Sequence, residues 1–226
     1  MTTVTKGPDV EAASMPEISE IPEVPEVPEK GRRLSPDERR SQLVATGLRL
    51  AKSESVNALA AAEVAEAAGV SKGLVFHYFP TQGDLHAAIA RAGADELVEL
   101  LSTTDDSLPN VARLTQGLDR FIAYIEQQPN TFASFARNAR GDTALGSVFE
   151  DTRNQVVDII GGVLGVETVS PRLRLFLRGW IASVEELTLD WLNTHAIERD
   201  ELIAVLEHAA YQFLAWATGT SSVTPD

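Results

Sequence analysis

The sequence has no cysteine and only four histidines, which removes most ways of building a catalytic or metal centre. Without cysteine there can be no disulfide framework, thiol nucleophile or cysteine-ligated zinc, and a reducing compartment suits the chain. The histidines lack the spacing of metal ligands, and neither a glycine-rich phosphate loop nor a serine nucleophile elbow is present. The sequence therefore predicts that the protein is not an enzyme and holds no metal or cofactor.

Long apolar runs are also missing. No stretch approaches the roughly 18 apolar residues of a membrane-spanning helix, and the first residues lack the basic-then-apolar pattern of a secretion signal. We therefore expect a cytoplasmic protein without a membrane partner. Its 226 residues are enough for one large or two small domains whose cores need no disulfide or metal.

Basic residues are scarce, with 19 Lys+Arg against 33 Asp+Glu and a net charge of -14, but they are unevenly placed. Residues 30–82 contain eight basic and five acidic residues, whereas residues 1–29 contain one and seven, and residues 83–226 contain ten and twenty-one. A short basic stretch in an acidic chain is typical of a protein in which only that part meets nucleic-acid phosphate. A chance fluctuation is the alternative.

The acidic start of the chain has the composition of a disordered segment. Residues 16–29, PEISEIPEVPEVPE, repeat Pro-Glu-aliphatic units that favour extended geometry and offer no continuous apolar face. We predict a disordered acidic leader over 1–29 and a disordered tail over 220–226. The leader is either a solvating tail or an acidic mimic that competes with DNA for the basic residues beside it.

Residues 60–80, AAAEVAEAAGVSKGLVFHYFP, have the pattern of two helices joined by a very short turn. Gly69 can take the left-handed conformation that ends the first helix, and Ser71 can cap the second. Because Pro80 lacks an amide hydrogen and restricts the residue before it, the second helix must stop near Phe79. Two helices so close in sequence must cross at short range, as in a helix-turn-helix unit.

One helix is predicted before this unit and a long one after it. Residues 35–38, SPDE, supply a cap, an N-terminal proline and acids for the start of a helix that continues to about Ser53. Thr81 and Asp84 have capping-box spacing, and the apolar stripe that follows predicts a helix over 82–102.

The second helix of the pair is barely two turns long, so most of its surface must lie outside the core. Its first residues, SKG at 71–73, suit phosphate and a close approach of the backbone, and FHY at 76–78 follows at its far end. Together they favour a surface that meets a sugar-phosphate groove. The alternative is an ordinary helical hairpin whose aromatic residues are core.

The run EVAEAAGVSKGLVFHYFPTQGDL resembles the DNA-binding signature of the TetR family of bacterial transcriptional regulators, over about residues 40–90. The resemblance implies an all-α protein in which a helix-turn-helix domain, residues 30–82, is joined by a long helix to a larger helical effector-binding and dimerisation domain, residues 83–219. It also implies a repressor that binds double-stranded operator DNA as a homodimer and is released by a small-molecule effector. A helical ligand-binding or interaction dimer whose DNA-binding head has decayed is the alternative.

By the same resemblance, residues 71–79 are the recognition helix, and Arg32 and Arg33 match the basic arm of many members. The implied DNA-binding residues are Arg32, Arg33, Ser71, Lys72, Gly73, Leu74, Phe76, His77, Tyr78 and Gln82.

Four departures from the family pattern weaken the expected backbone anchoring. Ala60 stands where members often have a capping threonine, and Ser55-Val56 replaces a glycine-aromatic pair. Gln82 stands where many have a phosphate-binding lysine. Leu74 takes a position that is often polar, where it could meet a thymine methyl group.

Further helices are predicted after residue 102, and no strand pattern competes with them. Their ranges are 110–128, 130–140, 143–165, 171–194 and 198–218. The last two carry large apolar residues at helical spacing, and the resemblance implies that two copies pack them into a four-helix interface. A purely internal core is the alternative.

The middle helices carry aromatic residues interspersed with arginines, a pattern that suits a cavity for a largely apolar molecule with one acidic group. The candidate effector-binding residues are Phe121, Tyr124, Phe135, Arg137, Phe149, Arg153, Trp180 and Glu185. Any one of these aromatic residues could instead be core. Glu185 and Glu186 together are best interpreted as one interfacial and one solvated carboxylate rather than as a ligand contact.

Overall fold

A computed structural model describes residues 34–53, 55–129, 132–133 and 143–218. Regular structure in these residues is entirely helical, which confirms the all-α prediction. The helices are α1 (Pro36–Ala51), α2 (Ala61–Ala67), α3 (Lys72–Tyr78), α4 (Gln82–Ser102), α5 (Asn110–Gln127), α6 (Thr143–Val163), α7 (Pro171–Thr194) and α8 (Arg199–Thr218). Within the described residues, no helix combines the length and the hydropathy of a membrane span.

The predicted caps of the first three helices are present. The Ser35 hydroxyl accepts from the Glu38 amide, and the Glu38 carboxylate accepts from the Ser35 amide at 2.7 Å, which is a complete capping box. Gly69 takes the left-handed conformation, with φ +67°, between α2 and α3. Ser71 caps α3 by accepting from the Leu74 amide at 3.2 Å. Because these signals are local, the sequence located α3 correctly.

The first three helices and the start of α4 form one core, which contains two central valines. Val64 of α2 and Val75 of α3 are fully buried, and the small Ala65 beside them lets the two helices cross closely. Phe79, directly after α3, is also buried, and it anchors the end of the short helix. Gly47 of α1 faces Ile89 of α4 so closely that a side chain there would overlap the isoleucine.

The helix α4 connects this core to the rest of the chain. Thr81 and Asp84 form its capping box, with the carboxylate accepting from the Thr81 amide at 2.9 Å. Its N-terminal half packs on α1, and it also contacts α5 and packs along α6. Its bounds agree with the predicted range of 82–102.

A second, larger core lies among α4 to α8. Its two buried tryptophans have satisfied indole nitrogens: Trp180 donates to the Leu206 carbonyl at 2.9 Å, and Trp191 donates to the Ile197 carbonyl at 2.8 Å. Helices α5, α7 and α8 agree with their predicted ranges to within one residue. Helix α6 ends at Val163, two residues earlier than predicted, since the chain turns there to a left-handed glycine. Of the predicted helix at 130–140, only 132–133 lie within the described residues.

Candidate nucleic-acid surface and ligand cavity

Helix α3 presents an exposed face opposite Val75. Ser71, Lys72, Gly73 and His77 are exposed, and the Phe76 side chain is exposed rather than core. The Lys72 ammonium lies 5.7 Å from the centre of the Phe76 ring, so a cation and an aromatic ring one turn later lie together on the exposed side of the helix. This composition suits contact with phosphate and with base edges.

Two of the other predicted DNA-binding residues are less exposed to solvent. Leu74 and Tyr78 are half-buried, and Tyr78 packs on the core while its ring meets the His77 ring edge-on at 5.3 Å. The Gln82 side-chain amide donates to the Leu59 carbonyl at 3.3 Å, so this residue ties the start of α4 to the segment before α2. Arg32 and Arg33 lie outside the described residues.

One of the family departures is partly compensated within the structure. Ala60 has no side-chain oxygen for capping, but its amide donates to the Glu63 carboxylate at 2.6 Å, which keeps one half of a capping box. The Leu59 carbonyl that accepts from Gln82 also lies 2.8 Å from the Nε2 atom of His86. His86 is buried there, and no group of three or more potential metal ligands was found in the described residues.

A cavity of about 130 Å³ lies among α4, α5, α6 and α7, with largely apolar walls. Six of the eight predicted effector-binding residues line it: Phe121, Tyr124, Phe149, Arg153, Trp180 and Glu185. The other two, Phe135 and Arg137, lie outside the described residues. The sequence did not single out the α4 wall, where Ala90, Gly93 and Ala94 line the cavity, because small residues in an apolar stripe resemble ordinary helix packing.

Tyr124 joins the cavity wall to α4. Its hydroxyl donates to the Gly93 carbonyl at 3.1 Å. Burial, with the Glu96 carboxylate nearby, raises the pKa of Tyr124 to about 12, so the phenol remains a neutral donor at physiological pH. A side chain at position 93 would come within 3.3 Å of Leu48 of α1. Gly93 therefore packs closely against the first core and also lines the cavity.

One ion pair lies in the cavity wall. The Arg153 Nε atom is 3.3 Å from Oε1 of Glu185, Nη2 contacts Oε2, and the guanidinium carbon lies 4.2 Å from the centre of the Phe149 ring. Burial raises the pKa of the Glu185 carboxyl, while the hydrogen bond and charge of Arg153 oppose that rise. Glu186 is exposed, as expected, but Glu185 faces the cavity instead of an external interface, because its position on α7 meets Arg153 of α6.

The apolar residues of α7 and α8 divide between the core and the surface. Leu173, Trp180, Trp191 and Leu206 are buried within the chain, so the internal-core alternative holds for these positions. The large apolar side chains that remain exposed on α7 and α8 are Leu175, Leu187, Val205 and Trp216.

Three of these exposed residues and the half-buried Phe176 form one surface, which we call the α7/α8 face: Phe176, Leu187, Val205 and Trp216. Phe176 and Leu187 are eleven residues apart, as are Val205 and Trp216, so each pair shares one side of its helix after three turns. Trp216, 61% exposed, packs edge-on against Phe176 with ring centres 4.7 Å apart. A surface of this kind is typical of a protein-protein contact.

Two family models match the chain. Residues 43–89 match the model described as bacterial regulatory proteins, tetR family. Residues 111–213 match the model described as tetracyclin repressor-like, C-terminal domain. The first includes α2 and α3, and the second includes the cavity-lining parts of α5, α6 and α7 and the α7/α8 face except Trp216.

The chain is also similar to individual proteins. It is 27% identical over 184 residues to the HTH-type transcriptional activator FasR of Mycolicibacterium smegmatis, covering 77% of this chain and 82% of that protein. A crystal structure of a tetR-family transcriptional regulator from Streptomyces coelicolor matches with 29% identity and a TM-score of 0.72, over 83% of this chain and 85% of that one. A transcriptional regulator from Rhodococcus sp. RHA1, 24% identical with a TM-score of 0.63, covers 82% of this chain and 99% of its own and shares the fold.

Proposed function

We propose that this chain, which belongs to the TetR family of bacterial transcriptional regulators, is a repressor that binds operator DNA as a homodimer and is released by a small, largely apolar effector. The carrying observation is α3, which is anchored by buried Val75 and Phe79 and presents Lys72 and His77 outward. Such a regulator works in the cytoplasm, beside the chromosome, and needs no cofactor.

Dimerisation is part of the proposal because α3 is short. A helix of seven residues can reach only a few base pairs, whereas two copies on half-sites about 34–36 Å apart multiply affinity and specificity. The α7/α8 face supports this arrangement, since it leaves aromatic and aliphatic side chains in water unless a second copy covers them.

Effector control follows from the position of the cavity. Its walls include Gly93 of α4 and Val56, and Val56 also belongs to the core that holds α3. A molecule that binds better to one cavity shape than to another shifts α4 and, with it, the separation of the two recognition helices. A hundredfold preference supplies about 2.7 kcal/mol per site, enough to weaken operator binding substantially.

The sign of regulation is proposed as repression relieved by effector. The relative from Mycolicibacterium smegmatis is described as an activator. Release from DNA removes activation in one promoter arrangement and repression in another, so a reporter measurement with the native upstream region decides the sign. A decayed DNA-binding head has no support in the structure, since the caps and core that hold α3 are present.

The first prediction concerns the effector. In a thermal-shift screen of fatty acids, alcohols, steroids and aromatic compounds, we expect hits that raise the melting temperature and then dissociate the protein-operator complex in a gel-shift titration. The physical reason is that one molecule binds the two cavity shapes with different affinity. A hit that stabilises the protein but leaves operator affinity unchanged would show that the cavity and α3 are uncoupled.

A second prediction concerns the acidic leader, residues 1–29. Deleting it should raise non-specific DNA affinity at low salt, because seven carboxylates that repel phosphate and compete for Arg32 and Arg33 are removed. Fluorescence anisotropy with a random duplex at 50 and 200 mM salt measures the effect. A full-length variant with Asp9 changed to asparagine and the six leader glutamates changed to glutamine keeps the length and separates the effect of charge from that of bulk. Equal low-salt affinity in all three proteins would contradict the mimic interpretation.

A further inference from the structure

The Arg153–Glu185 pair is unusual for its surroundings. Both side chains line a cavity whose other walls are mainly apolar, and they are only 18% and 12% exposed. The guanidinium is fixed by two contacts with the carboxylate and by the Phe149 ring beneath it. The pair is therefore a preorganised polar group inside a largely apolar cavity.

Holding α6 to α7 does not explain the pair. Arg174 pairs with Asp158 at 2.6 Å, and Arg178 pairs with Glu150, so two other ion pairs already join these helices at more exposed positions. A buried ion pair rarely adds stability over apolar residues of the same volume, because both charges lose their hydration. Contact with a molecule that binds in the cavity explains the pair better.

The pair has hydrogen-bonding capacity beyond its mutual contacts. An arginine carries five N–H donors, and each glutamate oxygen accepts more than one hydrogen bond. The two contacts between Arg153 and Glu185 use only part of this capacity. A group that both donates and accepts, such as a hydroxyl or a primary amide, could bond to both partners at once.

The charges at the Arg153–Glu185 pair disfavour an anion at that point of the cavity. Arg113, the other cation among the described lining residues, has its Nη2 atom 2.9 Å from the Asp106 carboxylate. Asp106 lies outside the lining and is 84% exposed, and the buried Nε atom of Arg113 has no hydrogen-bond partner among the described residues, so Arg113 is less fully paired than Arg153. A carboxylate placed beside the Arg153–Glu185 pair would lose hydration without gaining an unpaired cation there, and Glu185 would repel it.

We propose that the Arg153–Glu185 pair is the head-group site of the cavity and that Glu185 selects neutral hydrogen-bonding heads over carboxylates. This rests on the proposed function only in taking the cavity as an effector site. It narrows the effector to a neutral amphiphile with a hydroxyl or amide group, in place of the acidic group expected from the arginines in the sequence.

Isothermal titration calorimetry of the full-length protein with octan-1-ol, octanamide and octanoate tests this selection. These probes share one chain and differ in the head. At neutral pH the alcohol and amide should bind at least tenfold more tightly than the carboxylate, because they can donate to Glu185 while accepting from Arg153, whereas the carboxylate has no donor and is repelled by Glu185. Glu185→Gln should raise octanoate affinity at least tenfold. Glu186→Gln, the same charge change on the exposed neighbour, should leave all three unchanged.

A second variant guards against a folding defect in Glu185→Gln. Replacing both partners, Arg153→Met with Glu185→Leu, keeps the cavity apolar and should reduce octanol affinity several-fold without gaining octanoate binding. Equal affinity of the wild type for all three probes, or identical behaviour of the two glutamine variants, overturns the selection but leaves the effector cavity in place. Failure of every probe to bind overturns both. Operator binding, measured separately by gel shift, reports on the DNA-binding proposal.

Discussion

Changing Leu187 and Trp216 together to glutamate should convert the protein from a dimer to a monomer and lower its operator affinity at least a hundredfold. Both side chains lie on the α7/α8 face and are exposed within one chain, at 44% and 61%. The substitutions should therefore leave the fold of the monomer intact. In a dimer they would place four carboxylates in an apolar contact, at a cost of several kcal/mol for each buried charge.

Light scattering gives the mass, and gel shift gives the affinity. As a matched control, Gln127→Glu with Gln155→Glu adds the same charge at exposed positions of α5 and α6 and should remain dimeric. The loss of DNA binding follows from the loss of fixed spacing, because independent heads each hold only one half-site. A wild-type monomer at micromolar concentration, or a glutamate variant that stays dimeric, would remove the α7/α8 face from the mechanism.

The parts of the fold that the sequence predicted best are those decided by neighbouring residues. Ser71 and Pro80 bound α3, and Thr81 with Asp84 begins α4, because caps and prolines act within one turn of the backbone. Helix α7 begins in the same way, with Ser170 capping it by accepting from the Leu173 amide at 3.2 Å.

Which way an aromatic side chain points depends on other helices, so the sequence did not separate these residues. Phe76 and Phe79 lie in one short motif, yet Phe79 is buried and Phe76 is exposed. Trp180 lines the cavity, whereas Trp216 lies on the surface, although both continue apolar stripes. Periodicity gives the face of a helix, but its neighbours decide whether that face meets core, cavity or water.

The Arg153–Glu185 pair could not be predicted from the sequence either, because the packing of two different helices brings its residues together. Glu185 interrupts a tryptophan-flanked stripe, and nothing near it in sequence indicates a partner. The partner is Arg153, 32 residues earlier, which α6 brings alongside α7. Arg113 was also missed as a lining residue, because an arginine on an amphipathic helix usually marks its solvent face.

Replacing Lys72 by alanine together with His77 by alanine should reduce specific operator affinity at least a hundredfold and bring it near the non-specific level. Each dimer carries the changes twice, and the loss of a specific base contact costs about 1–3 kcal/mol. Val75 and Phe79, which anchor α3, are untouched, so the thermal stability of the protein should hardly change.

The single variants separate the two roles, because phosphate and base contacts respond differently to salt and to sequence. Lys72→Ala should weaken binding to all sequences alike and reduce the slope of log affinity against log salt by about 1 per protomer, while Lys72→Arg should retain it. His77→Ala should keep that slope and alter the relative affinities for single-base operator variants. Lys52→Ala, the same charge change after α1, should have the smaller effect on specific binding. If Lys72→Ala matches the wild type at every salt concentration, α3 does not place this lysine on phosphate and the recognition-helix assignment is wrong.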